Sequence, residues 1–555
     1  MDNRRLILLL IFSFSLVMLW DAWQRQHAVP AVAGMPSPAA VTQQPGGPAA
    51  VPGDVPPAAV GAVPAASPSS VAAPAANAGQ HAGSVAIVRT DLYEARISAQ
   101  GGDIVALDLL AHPDSQDKSR PVRLFDTGER GHAYFAQSGV IGANLPNHRN
   151  QWAGAEGEHS LKTGESTLRL VLTAQTPEGA AVTKTYVFSR GSYQINIEHA
   201  GLPAGAAIYH QVTRDGKPAE GAGSNAMMMG VTTFTGPAVY TDAAKYQKVE
   251  FAEIEKGKAK FAAKASDGWL AMVQHYFVAA WLPAAGIERE YFMRKGPGDL
   301  YSAGVVSSAS ADGTHAMSLY AGPQEQDKLS AIAPGLELVV DYGWLTVIAA
   351  PLFWVLQMLH QLAGNWGWAI IGLTVLLKLA FFPLSAASYK SMAKMRVLTP
   401  KLMKLKETFG DDKQRLNQEM MELYKREKVN PLGGCLPVLV QIPVFIALYW
   451  VLLGAVEMRN APWLGWITDL SVKDPYFVLP LIMGATMLIQ TKLNPTPPDP
   501  IQAKIMLFMP IVFTVMFLWF PAGLVLYWTV NNLLSIAQQW QITRMVEGAG
   551  KGKAA

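Results

Sequence analysis

Thiol is almost missing from this sequence. Cys435 is the one cysteine in 555 residues, which excludes an internal disulfide framework and a thiolate metal cluster. Charge is scarce as well: 16% of the residues are charged, where an ordinary soluble chain carries about a quarter. The net charge is only +3, too little for a basic surface field, so the chain as a whole is no nucleic-acid binder and no DNA partner is expected. The deficit is uneven. Charge is missing from a few long apolar runs, which is how membrane proteins read.

Those runs divide the chain. Residues 1–27 begin with Arg4 and Arg5 and continue uncharged from Leu6 to Trp20, with Trp20 and Trp23 where interfacial aromatics belong. We read them as an uncleaved membrane anchor rather than a signal peptide, although Ala31-Val32-Ala33 offers a cleavage site. Residues 28–83 hold eleven prolines and a single charge, Asp54. They cannot bury enough surface to fold and read as a disordered Pro/Ala-rich tether. In residues 84–335, Thr167–Thr173 alternates polar and apolar positions. Thr185–Ser189 and Tyr193–Ile197 flank Arg190-Gly191-Ser192, a hairpin signal. This region is expected to be one large antiparallel β-sandwich.

The remainder reads as mostly membrane. Between Asp341 and Lys378 lie 36 uncharged residues, about 54 Å as one helix against a hydrocarbon core of about 30 Å. Gly364-Asn365-Trp366-Gly367 splits the run. The segment 387–430 carries eleven Lys/Arg against six Asp/Glu, which places it in the cytosol. The sandwich follows an N-in anchor and is therefore outside, so an odd number of spans must separate the two. Residues 336–364 are accordingly expected to lie at the outer interface as an amphipathic helix, with Gln357, His360 and Gln361 on one face. Residues 365–386 then span. The same parity gives four more spans within 431–545 and a cytosolic tail at 546–555: six spans, both termini inside. Within 387–430, Met392, Met395, Leu398, Leu402, Leu405 and Phe409 repeat at helical spacing, as do Leu416, Met420, Leu423 and Tyr424. Gly410-Asp411-Asp412 separates the two series, which predicts a helical hairpin with basic outer faces.

Motifs of catalysis are weak or missing. Gly296-Pro-Gly-Asp299 has the Gly-x-Gly-Asp form of aspartyl intramembrane proteases but lies in a charged stretch, and no second aspartate falls in a span. Ser391-Met-Ala-Lys394 and Ser115-Gln-Asp-Lys118 fit Ser-x-x-Lys, a pattern too short to carry a reading alone. No His-Glu-x-x-His, P-loop or dinucleotide fingerprint occurs, and the eleven histidines are scattered. No enzyme, cofactor or metal site is expected. One residue stands apart: Lys378 is the sole charge between Trp366 and Ala386. A cation in a span costs about 2.5–3.5 kcal/mol on insertion scales, so it should face protein or water. Thr374, Gln441, Thr486, Gln490, Asn531, Asn532 and Ser535 sit at similar depths on other spans, which suggests a shared hydrated cavity. A snorkelling lysine with ordinary helix-packing polar residues is the plainer alternative.

Ser391-Met-Ala-Lys-Met-Arg396, Gly410-Asp-Asp-Lys-Gln-Arg415, Lys428-Val-Asn-Pro-Leu-Gly-Gly-Cys435, Gln441-Ile-Pro443 and Leu518-Trp-Phe-Pro-Ala-Gly-Leu524 resemble the YidC membrane-protein insertase family of Gram-negative bacteria. That family is related to the mitochondrial oxidase-assembly and chloroplast Albino insertases. The resemblance implies a five-helix insertase core with a cytosolic helical hairpin, and a hydrophilic groove open to cytosol and lipid, in a multi-pass protein of the bacterial inner membrane whose large domain is periplasmic. It implies insertion and folding of nascent inner-membrane proteins, alone or with the Sec translocon, with membrane lipids and weakly the ribosome as further partners. In that family a cation on the first core span, usually arginine, attracts substrate; the matching position here is Lys378. Thr374 and Trp528 match a sensitive threonine and an aromatic residue, and Gln441, Asn531 and Asn532 complete the groove. Ile442, Phe445, Met516 and Tyr527 match the face along which a substrate helix slides. A transporter or channel is the alternative, though such folds usually show internal repeats and none is found. A tethered sugar-modifying enzyme is a second rival, because the family's β domain resembles galactose-mutarotase sandwiches, but no convincing His/Glu pair stands out.

Overall fold

The computed structural model describes residues 83–551 apart from 115–116, 143, 218–233, 411, 428, 430–435 and 495–499. The expected anchor, the tether up to Ala82, Cys435 and most of the string around it lie outside the described residues.

Alternating burial builds the first half. Its strands are β1 (Val85–Arg89), β2 (Tyr93–Ser98), β3 (Ile104–Pro113), β4 (Pro121–Thr127), β5 (Ala133–Val140) and β6 (Gly157–Ser160). Then come β7 (Thr167–Gln175), β8 (Ala181–Ser189), β9 (Gln194–Ala200), β10 (Ala207–Asp215), β11 (Gly236–Thr241) and β12 (Lys245–Lys248). A short helix α1 (Phe251–Glu255) precedes β13 (Lys264–Ala265), β14 (Trp269–Val273), β15 (Phe277–Leu282), β16 (Arg289–Lys295), β17 (Leu300–Ser308) and β18 (His315–Pro323). One sheet has ten strands in the order β13-β16-β17-β10-β5-β4-β3-β2-β1-β6, the other eight in the order β12-β11-β14-β15-β18-β9-β8-β7. The predicted hairpin is β8–β9, antiparallel through a turn in which Gly191 adopts φ +71°, a conformation glycine enters without Cβ strain. The sandwich is antiparallel as expected, except that β6 runs parallel to β1 at the sheet edge.

The inward positions of β9, β10 and β18 are mostly apolar, but three histidines stand among them. His199 follows Ile195 and Ile197, His210 lies between Ile208 and Val212, and His315 precedes Met317, all buried. Desolvation holds His199 and His210 well below the usual imidazole range and pulls His315 down to about 4.

After α2 (Gln326–Ile332) the chain turns helical: α3 (Thr346–Ala363), α4 (Trp366–Ala380), α5 (Phe382–Phe409), α6 (Lys413–Arg426), α7 (Leu436–Gly454), α8 (Val478–Leu493), α9 (Pro500–Phe517) and α10 (Ala522–Lys551). Gly364 ends α3 in the left-handed region, φ +66°, and the Asn365 side chain caps α4 by accepting from the backbone N–H groups of Gly367 and Trp368. The break read at 364–367 is therefore a C-cap followed directly by an N-cap. The expected continuous span 365–386 is not continuous: α4 and α5 meet at 67°. Pro383 in the first turn of α5 explains the break, since it lacks the N–H that would continue α4 and its ring would collide with a carbonyl four residues back. At 15 residues, α4 is about 22 Å long. The hairpin of α5 and α6 closes over Leu398, Leu402 and Leu423, and Lys401 pairs with Glu427 at 2.8 Å.

Apolar side chains cover the outside of the helical half. Leu379 on α4, Leu439 on α7, Leu481 and Ile489 on α8, Leu507 and Phe508 on α9 and Leu533 on α10 are all exposed. Water would not tolerate so much apolar surface, and lipid does. Among the described residues α3 is the one helix that is by itself long and apolar enough to cross a membrane by length and composition. Its outer face shows Val347, Trp354 and Leu362, while Gln357 donates to Asp327 of α2 at 3.0 Å.

The sandwich meets the helices at the end of α7. His275 bonds the Leu453 carbonyl at 2.8 Å, and Glu457, just past α7, is half-buried with its Oε2 shielded from solvent. Desolvation, with Glu325 and Asp327 nearby, raises Glu457 from 4.5 to about 7. The folded state therefore prefers the protonated acid. That stability is fully present below pH 4.5 and is lost as pH rises through about 7. In detergent, the melting temperature of the full chain should fall between pH 5 and 8, and Glu457→Gln should flatten part of that fall. Identical pH profiles for the two proteins would refute the assignment.

Candidate substrate groove

A stripe of polar side chains runs down α10, and other helices answer it. Asn531, Ser535 and Gln539 recur every four residues, one turn apart, with Asn532 beside them. Lys378 of α4 donates to Ser535 Oγ at 2.7 Å, and Ser535 donates to the Asn531 carbonyl at 2.7 Å. Gln441 of α7 donates to Asn531 Oδ1 at 2.8 Å. Asn532 donates to Thr486 Oγ1 of α8 at 3.2 Å, and Gln539 reaches Asn494 at 2.9 Å. Four helices and the residue after α8 are thus tied through one face of α10.

Lys378 is 6% exposed, and among the described residues it is in no ion pair. Its ammonium has three donors, and Ser535 accepts one of them. Thr374 is fully buried one turn earlier, but its hydroxyl donates to the Ile370 carbonyl at 2.7 Å, so it is committed to its own helix and does not join the network. Trp528 packs edge-on against Phe445 at 4.6 Å and beside Phe517 at 5.2 Å. Its buried indole N–H has no acceptor among the described residues.

Of the four residues matched to a sliding face, Ile442 is 45% exposed, and Phe445 and Met516 are half-buried. Tyr527 is 2% exposed and stacks beneath Phe445 at 6.3 Å. In this conformation Ile442 presents the face, and Tyr527 supports it from behind. Ser535, one turn after Asn531 and read in the sequence as part of the polar set, is the residue that holds Lys378. Tyr389 of α5, whose hydroxyl is within hydrogen-bond reach of Ser535, was not among the sequence candidates. Tyr389 becomes visible only once α5 folds back against α10.

Packing between the spans depends on small contacts. A Cβ on Gly484 of α8 would collide with Thr514 of α9, so glycine lets those helices touch.

A helical bundle clad in apolar side chains, with one buried cation among uncharged amides and hydroxyls in its described residues and a large β-sandwich attached, is the architecture of a membrane-embedded insertase. The comparisons agree. Residues 358–549 match the family described as 60Kd inner membrane protein, and residues 86–355 match the YidC periplasmic domain. The membrane protein insertase YidC of Aromatoleum aromaticum is 59% identical over 563 residues, covering 100% of this chain and 99% of that protein. The one from Dechloromonas aromatica is 55% identical over 571 residues, covering 99% of each. The chain belongs to the YidC insertase family. Among solved structures, an active YidC insertase with its first transmembrane domain resolved is 17% identical, with a TM-score of 0.40, over 82% of this chain and 94% of that one.

The network makes charge and shape separable at residue 378. Lys378→Ala leaves Ser535 without its cation, whereas Lys378→Arg keeps the charge with a longer fork. With a reporter whose exported tail is acidic, Lys378→Ala should lower insertion about tenfold, equivalent to about 1.4 kcal/mol, and Lys378→Arg should retain most of it. Ser535→Ala should fall between them. Equal insertion by wild type and Lys378→Ala would overturn the role of the charge.

Proposed function

We propose that this chain inserts and helps fold inner-membrane proteins by offering their exported segments a short polar path past Lys378. The observation that carries the reading is that cation, buried among uncharged polar groups and without an acidic partner among the described residues. Moving a polar or acidic tail through about 30 Å of hydrocarbon is the costly step of insertion. A cation partway across, reached from the cytosol through half-buried Gln441 and Asn531, offsets part of that cost for an anionic tail. The apolar segment then leaves sideways past Ile442, driven by its own transfer into lipid at about 0.8 kcal/mol per buried methylene. Nothing in this sequence of steps requires a nucleotide, a redox centre or bond chemistry, so the proposed activity is not enzymatic.

The topology that serves this mechanism has six spans with both termini cytosolic: the anchor at 1–27, then α4 with the start of α5, and α7, α8, α9 and α10. In it α3 lies at the outer interface with Val347, Trp354 and Leu362 in lipid. The α5–α6 hairpin, with its excess of cations, faces the cytosol, where anionic lipid, nascent chains or the ribosome meet it. Handover from the Sec translocon fits the lateral opening, while the sandwich stands across the membrane from arriving substrate.

Two experiments test the reading. A photoreactive side chain at Ile442 should capture a stalled nascent membrane helix, and the same probe at Trp354 on the outer face of α3 should capture little; equal capture would place the path elsewhere. Deleting residues 90–320 should leave most insertion intact, and loss of insertion by a stable, correctly placed deletion would make the sandwich part of the machinery.

A further inference from the structure

The inward histidines of the sandwich do more than fill space. His199 and His315 are direct cross-strand partners on β9 and β18 of the eight-stranded sheet. His210 comes from β10 of the ten-stranded sheet. Their rings stand 5.2 to 6.3 Å apart, centre to centre, in the layer between the sheets, with Trp281 5.0 Å from His210. All three are at most 5% exposed. Among the described residues neither ring nitrogen of His199 or His210 has a hydrogen-bond partner, and neither does Nδ1 of His315. A buried polar atom without a partner is costly, and five on three neighbouring rings call for a ligand that wants nitrogen lone pairs.

We propose that His199, His210 and His315 form a zinc site that ties the two sheets of the sandwich together. One nitrogen from each ring already lies within 4.8 Å of the other two. In a tetrahedral site with Zn–N of about 2.0–2.1 Å, such nitrogens stand about 3.3–3.4 Å apart, so small ring rotations close the set. His315 Nε2 contacts Ser307 Oγ at 2.8 Å. If Nε2–H donates there, Nδ1 keeps its lone pair for the ion, which is how metal-bound histidines are usually oriented from outside. Three imidazoles with no carboxylate or thiolate in the set suit a borderline ion such as Zn2+ and leave its fourth position to water. The opposing charge is Lys184, across the β8–β9 ladder from His199. Its ammonium is directed instead at the carbonyls of Gly101 at 2.7 Å and Ser138 at 3.0 Å, and it is balanced by buried Asp103. The sequence gave no hint of this site, because its ligands lie on three strands of two sheets and follow no short spacing.

The test uses the full chain, purified on a non-histidine tag from zinc-supplemented cells. Wild type should carry about one zinc per chain. His199→Gln and His315→Gln should carry at least tenfold less, and His159→Gln, in a histidine outside the cluster, should match wild type. Should the cluster variants fail to fold, wild type alone decides: refolding with Co2+ should give the visible absorption of a tetrahedral nitrogen site, and added Zn2+ should raise its melting temperature. Substoichiometric zinc with no such cobalt spectrum would overturn the proposal, and so would unchanged zinc in folded His199→Gln and His315→Gln.

Discussion

No water reaches an amide in the middle of a bilayer, so each polar side chain there must be answered by another or bear a large desolvation cost. In this protein the answers converge on one face of α10. Lys378, Gln441, Thr486 and Asn494 come from different stretches of the chain, and each finds its partner on that stripe. The stripe holds the bundle together and also gives the buried Lys378 an acceptor that carries no charge. An acidic partner in place of Ser535 would stabilise Lys378 more strongly, but it would also cancel the attraction for an anionic segment. A hydroxyl satisfies the ammonium without neutralising it.

The rest of the helical half follows from keeping this core polar and its outside apolar. Phe445, Phe513, Phe517 and Trp528 form a ring cluster beside the stripe, so a polar strip and an aromatic one lie side by side on α7 and α10. That adjacency suits the proposed mechanism, in which one surface receives both the polar tail and the apolar body of a substrate. The close contact at Gly484 and the break before Pro383 then set where the helices touch and where they part.

Much of this could be read in the sequence, wherever a pattern is local. Period-two alternation marked β7, the Arg190-Gly191-Ser192 turn marked β8–β9, Gly364-Asn365 marked the join of α3 and α4, and an isolated lysine in an uncharged run marked the cation of the polar network. What escaped were relations between distant positions. Polar residues in spans were visible, but their pairing with one another was not, so a shared hydrated cavity was expected where the structure shows hydrogen-bonded pairs. Thr374 looked available until its bond to Ile370 was seen, and Tyr527 looked like surface until α7 covered it. Residues 365–386 read as one unbroken helix, but the chain turns by 67° ahead of Pro383, because a proline in an apolar run does not by itself say how sharply the helix will break. The three sandwich histidines lie on strands that only the tertiary fold brings together.

The edge-to-edge order of the sandwich also bears on how the molecule is made. β10 pairs with β5 before it in the chain and with β17 far after it, and β9 waits for β18. Contacts between such distant segments are slow to form, because loop-closure entropy is lost before any of them is rewarded. The ten-stranded sheet lacks β17 until Ser308 has emerged and the eight-stranded sheet lacks β18 until Pro323, and α3 begins soon afterwards, at Thr346. During synthesis the sandwich is therefore an open, unfinished sheet pair until shortly before the first helix of the bundle appears. Its exposed strand edges make that interval the most aggregation-prone stage in the protein's own assembly.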